Sequence, residues 1–100
     1  MSPSVSAVVE AAVDLAWRPL ANLSPPSYGA RLEAHRRLIA ALRRIGPVRD
    51  PEPELAYVIA AARRVALCSF ANRMGPPYYD RRAAVLQLRG CLAVWERSIQ

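Results

Sequence analysis

Apolar residues recur at three- and four-residue steps along most of the chain, and proline and glycine cut that pattern into four segments. In the first, Val5, Val9, Ala12, Ala16, Leu20 and Leu23 form one stripe, with Glu10, Asp14 and Arg18 four apart on the opposite face. Ser2-Pro3 supplies a cap with proline at the first helical position. Pro19 lacks an N–H and clashes one turn back, so it must kink or end this helix, predicted over 3–18. In the second segment Tyr28, Leu32, His35, Leu38, Ile39, Leu42 and Ile45 make the apolar face of a helix over 27–45. Ser24 or Ser27 caps it, and Gly46 and Pro47 close it. "RDPEPE" opens the third helix, over 51–74, with Asp50 as cap, Pro51 first, and Glu52 and Glu54 suited to the positive end of the dipole. Met74-Gly75-Pro76-Pro77 stops it. The fourth runs over 80–98, where Val85, Leu88, Leu92, Trp95 and Ile99 are spaced 3-4-3-4 as in a bundle seam. Its start sits awkwardly, because Arg81 and Arg82 would crowd the positive end if Asp80 were the cap. Nothing alternates with period two and no repeat is visible. The expected architecture is all-α: a single small four-helix bundle over 1–100, up-and-down, with the first helix kinked or ended at Pro19.

The 100 residues suffice for one core, and a hydrophobic share of 53% with 22% charged residues excludes a disordered chain. A formal +6 points towards an anionic partner. That inference is weakened because all 14 basic residues are arginine, as GC-rich coding favours whatever the function. The N-terminal stretch "MSPSVSAVVEAAVDLAW" has no basic leader, and no window reaches the roughly 18 apolar residues of a membrane span. A cytoplasmic protein with no membrane contact is expected.

The second helix carries two arginine pairs seven residues apart. Arg36, Arg37, Arg43 and Arg44 project away from its apolar face, and Glu33 can pair with Arg36 or Arg37. Residues 24–49 hold six arginines against Glu33, a formal +5. The stripe reads as a solvated bundle face or as an anion-binding surface for phosphates. "GPVRDPEPE" is too long, stiff and acidic for the turn of a helix-turn-helix, so nucleic acid would be held through its backbone, with strong salt dependence.

The third helix is apolar nearly all round. Leu55, Val58, Ile59, Ala62, Val65, Ala66 and Ser69 make one stripe, and Tyr57, Ala60, Leu67, Ala71 and Met74 face the other way with Arg64 as the charge among them. Such a helix is either central to its fold or covered by something else. In the second case Tyr57, Leu67 and Met74 anchor a partner-binding face, flanked by arginines that steer an acidic partner.

Enzyme chemistry is sparse. His35, the only histidine, lies in an apolar stripe and reads as a partly buried structural residue. The carboxylates are scattered, no Cys/His set has metal spacing, and no catalytic residue, metal or cofactor is implied. Cys68 and Cys91 fall about six residues out of register on neighbouring helices, roughly 9 Å along the axis, too far for a disulfide. "PPYYDRR", from Pro76 to Arg82, reads as an irregular loop whose Tyr78 and Tyr79 either meet a partner or cover the end of the core.

The pattern "SYGARLEAHRRLIAALRRI…LAYVIAAARRVAL…DRRAAVLQLRGCLAVWER" resembles a family of short actinomycete helical proteins labelled as natural-product biosynthesis proteins of unknown function. The likeness rests on an "L-x-x-H-x-x-x-L"-like second helix, an "A-x-x-x-A-R-R" third and an "R-x-A…L-R" fourth, over about three quarters of the chain. The resemblance implies an accessory or regulatory role near a biosynthetic gene cluster. Three classes of function follow: a helical protein-interaction module working on a partner or a second copy, a nucleic-acid-binding regulator using the arginine stripe, or a small-molecule pocket bounded by His35 and the tyrosines.

Overall fold

Proline begins every helix. The computed structural model describes residues 2–20, 25–70 and 75–99, and its helices are α1 (Pro3–Ala16), α2 (Pro25–Ile45), α3 (Pro53–Leu67) and α4 (Pro76–Ser98). The first amide of a helix has no intrahelical acceptor, so proline loses nothing there, and its fixed φ is already helical. At α1 the Ser2 hydroxyl adds a cap, accepting from the Val5 N–H at 3.3 Å. Among the described residues no strand is present.

The helices run along the long axis of a body measuring 39 × 23 × 22 Å. One end gathers the start of α1, the end of α2, the start of α3 and the end of α4, around Val5, Ile45, Leu55 and Trp95. The opposite end gathers Leu15, Arg31 and Arg81, so the chain runs up, down, up, down. α1 packs closely along α2 and α3 along α4, while α2 and α4 occupy a diagonal without backbone contact. Val8, Leu38, Val58, Val65, Leu88 and Leu92 fill the middle, fully buried. Each such side chain contributes about 1.5–3 kcal/mol by leaving water.

α1 ends at Ala16, ahead of Pro19. Its last carbonyls are met from across the bundle. Arg89 Nε donates to the Ala16 carbonyl and its Nη2 to the Arg18 carbonyl at 3.0 Å, while the guanidinium lies 5.6 Å over the Trp17 ring. A cation at the negative end of the dipole and two satisfied carbonyls fix the C-terminus of α1 onto α4.

The end of α1 and the start of α2 each fall two residues before the expected positions, and three further boundaries differ. α3 starts at Pro53, not Pro51, because Pro53 forces the preceding Glu52 into an extended conformation (ψ 145°) that no helix can include. Asp50, the expected cap, takes a left-handed φ of 44° in the connection. α3 also stops at Leu67, with Cys68 extended. The chain leaves the helix there to carry Phe70 back over the diagonal between α2 and α4, and Ser69, placed on the core stripe by its spacing, is exposed. Residues 71–74, which the expected helix included, lie outside the described residues. α4 starts at Pro76 instead of Asp80. Gly75 at its cap has φ 149°, open to glycine, and Pro76 and Pro77 occupy positions whose amides would lack partners anyway. "PPYYDRR" is therefore the first two turns of a helix and not a loop, which moves Arg81 and Arg82 away from the positive end. Of the two capping serines considered for α2, Ser27 is inside the helix and Ser24 lies outside the described residues. Both cysteines are free and half-buried.

Candidate functional site

Two regions depart from ordinary bundle chemistry. The first is the outer face of α3, which no other helix covers. Pro53, Tyr57, Ala60, Arg64 and Leu67 follow one another at steps of four, three, four and three and are all exposed. Leu67 is 88% exposed and Tyr57 66%. The helix is thus not flanked on both sides; it packs mainly on α4, and its apolar back faces outward. On one flank Tyr57 borders a shallow groove with Gln87, Gly90, Cys91 and Val94 of α4. On the other, Leu67 borders a groove floored by Ile39, Leu42 and Ala66 and walled by Arg43 and Arg63. Arg64 donates to Gln87 of α4 and is the one charged member of the strip.

The anchors expected on this face divide. Tyr57 and Leu67 lie on it, and Met74 falls outside the described residues. Tyr78 and Tyr79 stand on the first turn of α4 with their rings edge to face at 5.5 Å, away from Tyr57 at the opposite end of the bundle.

The four arginines of α2 are all exposed but do not form one surface. Arg37 pairs with Glu33 at 3.5 Å, and Arg37 and Arg44 border a groove that also holds Glu10 and Asp14 of α1. Arg43 belongs to the other flank, with Arg63 and Leu67.

The second region is a basic cluster at the end of the bundle where α1 and α3 finish and α2 and α4 begin. Arg31 is 2% exposed, Arg81 4% and His35 5%. Phe70 is the hub: Arg81 Cζ lies 4.8 Å and Arg31 Cζ 5.7 Å from its ring centroid, with His35 at 5.7 Å and Tyr28 at 5.4 Å edge-on. Arg31 Nη1 donates to the Leu20 carbonyl at 3.0 Å. Arg81 Nε and His35 Nδ1 are buried and meet no hydrogen-bond partner, as is Arg18 Nε nearby. Burial lowers the pKa of Arg81, and the charge on Arg31 lowers it further. Burial likewise lowers that of Arg31, against the opposing influence of Tyr78 and Tyr28. His35 is held below its ordinary range by burial and then by Arg81. No carboxylate is among these influences. Cation–π contact returns about 2 kcal/mol or more when desolvated, less than burial of a lone guanidinium costs.

Arg31 and Arg81 were not picked out from the sequence, yet a signal for both exists. Arg31 precedes His35 by four and Leu38 by seven; Arg81 precedes Val85 by four and Leu88 by seven. Each extends a core seam by one turn, so spacing points inward where charge suggests solvent.

Among the described residues no cluster of three or more His, Cys, Asp or Glu could hold a metal ion, and no helix is long and apolar enough to cross a membrane. Compared with known proteins, the chain matches no family model, no curated protein and no solved structure.

Proposed function

We propose that the protein is a non-enzymatic helical interaction module that docks an acidic, amphipathic segment of a partner protein on the bare face of α3. The observation that carries this reading is the strip from Pro53 to Leu67, apolar but for Arg64 along about 21 Å at 1.5 Å per residue and uncovered by the bundle. A partner helix laid along it would meet Tyr57 at one end and Leu67 at the other as anchors, with Arg43 and Arg63 placed to receive its carboxylates. Arg43, Arg63 and Arg64 outnumber Glu54 along this face, so charge favours an acidic partner. An accessory role beside a natural-product gene cluster is what the motif resemblance adds.

The test is a tagged pull-down from the native host, with and without nuclease, run beside Leu67→Asp. One near-stoichiometric protein that survives nuclease and is lost with Leu67→Asp supports the module. Unaltered capture by Leu67→Asp removes the face from the function.

A second reading, a regulator that grips nucleic acid through α2, keeps the observation that Arg36, Arg37, Arg43 and Arg44 are all exposed. It requires material that disappears with nuclease and an affinity that falls steeply with salt. Arg43→Glu with Arg44→Glu should then weaken binding by an order of magnitude or more at low salt, measured by fluorescence anisotropy on labelled duplex. Indifference to both salt and substitution would end it.

A further inference from the structure

At the end of the bundle away from His35 and the buried arginines, the helix termini surround a cleft of about 610 Å³, the size of an ordinary small-molecule site. Each helix gives it an apolar wall: buried Val5 and Trp95 from α1 and α4, half-buried Ile45 and Leu55 from α2 and α3. Residues 47–52, in the connection between α2 and α3, supply the remaining side. Pro47 and Pro51 fix its φ angles and Pro53 holds Glu52 extended, so this wall is stiff and the cleft is formed before anything enters it. Charge at this end runs against the rest of the chain. Three of the eight carboxylates fall within residues 50–54, on a chain of formal +6. Asp50 and Glu52 line the cleft against the single guanidinium of Arg49, and among the described residues none of the three forms an ion pair. Helix dipoles do not reverse the sign, because two helix starts, α1 and α3, meet two helix ends, α2 and α4, and offset them. Both starts also carry proline in place of an N–H that an anion would use.

We propose that this cleft binds a small organic cation, a protonated amine carrying an aryl or branched aliphatic body. The body lies against Leu55, Ile45 and Trp95, and the ammonium is received by Asp50 and Glu52. Neither carboxylate has a partner within the chain to give up, so the ammonium displaces only water from them. The cleft is separate from the docking strip of α3 and does not depend on it.

The test is a titration of the full chain with phenethylamine, followed by the indole N–H NMR signals of its two tryptophans. Trp95 lines the cleft and Trp17 stands just past α1, at the far end of the bundle. Trp17→Phe assigns the pair. The Trp95 signal should shift and saturate while that of Trp17 stays in place. Phenethyl alcohol, with the same body and no charge, should bind about fivefold more weakly than the amine, and hydrocinnamate more weakly still. Asp50→Asn combined with Glu52→Gln removes both charges and spares the fold. Asparagine accepts the left-handed φ of 44° as aspartate does, and the Glu52 side chain caps nothing. In that variant the amine should lose its advantage over the alcohol. No shift of Trp95 with the amine overturns the proposal, as does equal binding of the three probes or an amine preference that survives the double substitution. Leu67→Asp, at the other end of α3, should leave the titration unchanged, so failure of the docking face and failure of the cleft are read separately.

Discussion

Leu67 and Arg81 are both on the wrong side of the hydrophobic boundary. One is an aliphatic side chain in water, the other a cation among apolar residues. Physically they are unequal. An exposed leucine forgoes burial that it could have had, a loss that a binding partner can later recover. A buried guanidinium is actively unfavourable until something neutralises it. The outer face of α3 is therefore a surface the fold tolerates, and the basic end is one the fold works against.

The sharpest way to break that comparison is on α3 itself, where Val65 and Leu67 lie two residues apart. Val65 is fully buried and Leu67 almost wholly exposed. Val65→Asp places a carboxylate in the core and should cost several kcal/mol, enough to unfold a bundle of this size. Leu67→Asp should stay within about 0.5 kcal/mol of the parent. Urea denaturation of both variants checks this. Similar losses in the two would mean that the strip belongs to the core and that the docking proposal has no surface to use.

The next largest effect separates two kinds of inward arginine. Arg89 is committed, donating to the Ala16 and Arg18 carbonyls and lying over Trp17. Removing it with Arg89→Met leaves the last turn of α1 without its donors and should cost about 1–3 kcal/mol in the same measurement. Arg81→Met, in chloride, should cost nothing. If the two substitutions were equally damaging, Arg81 would be a structural cation held by Phe70.

Periodicity located the α3 face, and it carried a signal for the basic cluster that charge concealed. The stripes on α1, α2 and α3 put Val5, Leu38 and Val58 inside, and the bare back of α3 appeared as the opposite stripe of Tyr57, Ala60 and Leu67. Even the buried arginines obey the seam spacing, because Arg31 and Arg81 sit one turn ahead of His35 and Val85. Reading every arginine as a solvated group hid them. What periodicity could not show was the exit of the chain from α3 at Cys68, since residues 68–70 continue the helical pattern well enough. Phe70 breaks that pattern for a tertiary reason, its contact with Tyr28, His35 and the two guanidiniums, and no local propensity encodes such a contact. The opening of α4 was misjudged differently. Two consecutive prolines suggest a loop, but behind Gly75 they form a stiff helix start.

The smallest expected effect is a pH dependence, and it connects the two halves of the basic cluster. His35 is packed against Phe70 near Arg81 of α4, with Tyr28 and Arg31 on its own helix, and its folded-state pKa lies below the 6.5 of the free side chain. The unfolded chain therefore takes up a proton first on acidification. Stability should be full above about pH 6.5 and fall as the pH drops from there towards the folded-state pKa. His35→Gln should flatten the curve of Tm against pH between about 7.5 and 5.5 in chloride buffer. A parent and variant with parallel curves would show that His35 does not sense its burial.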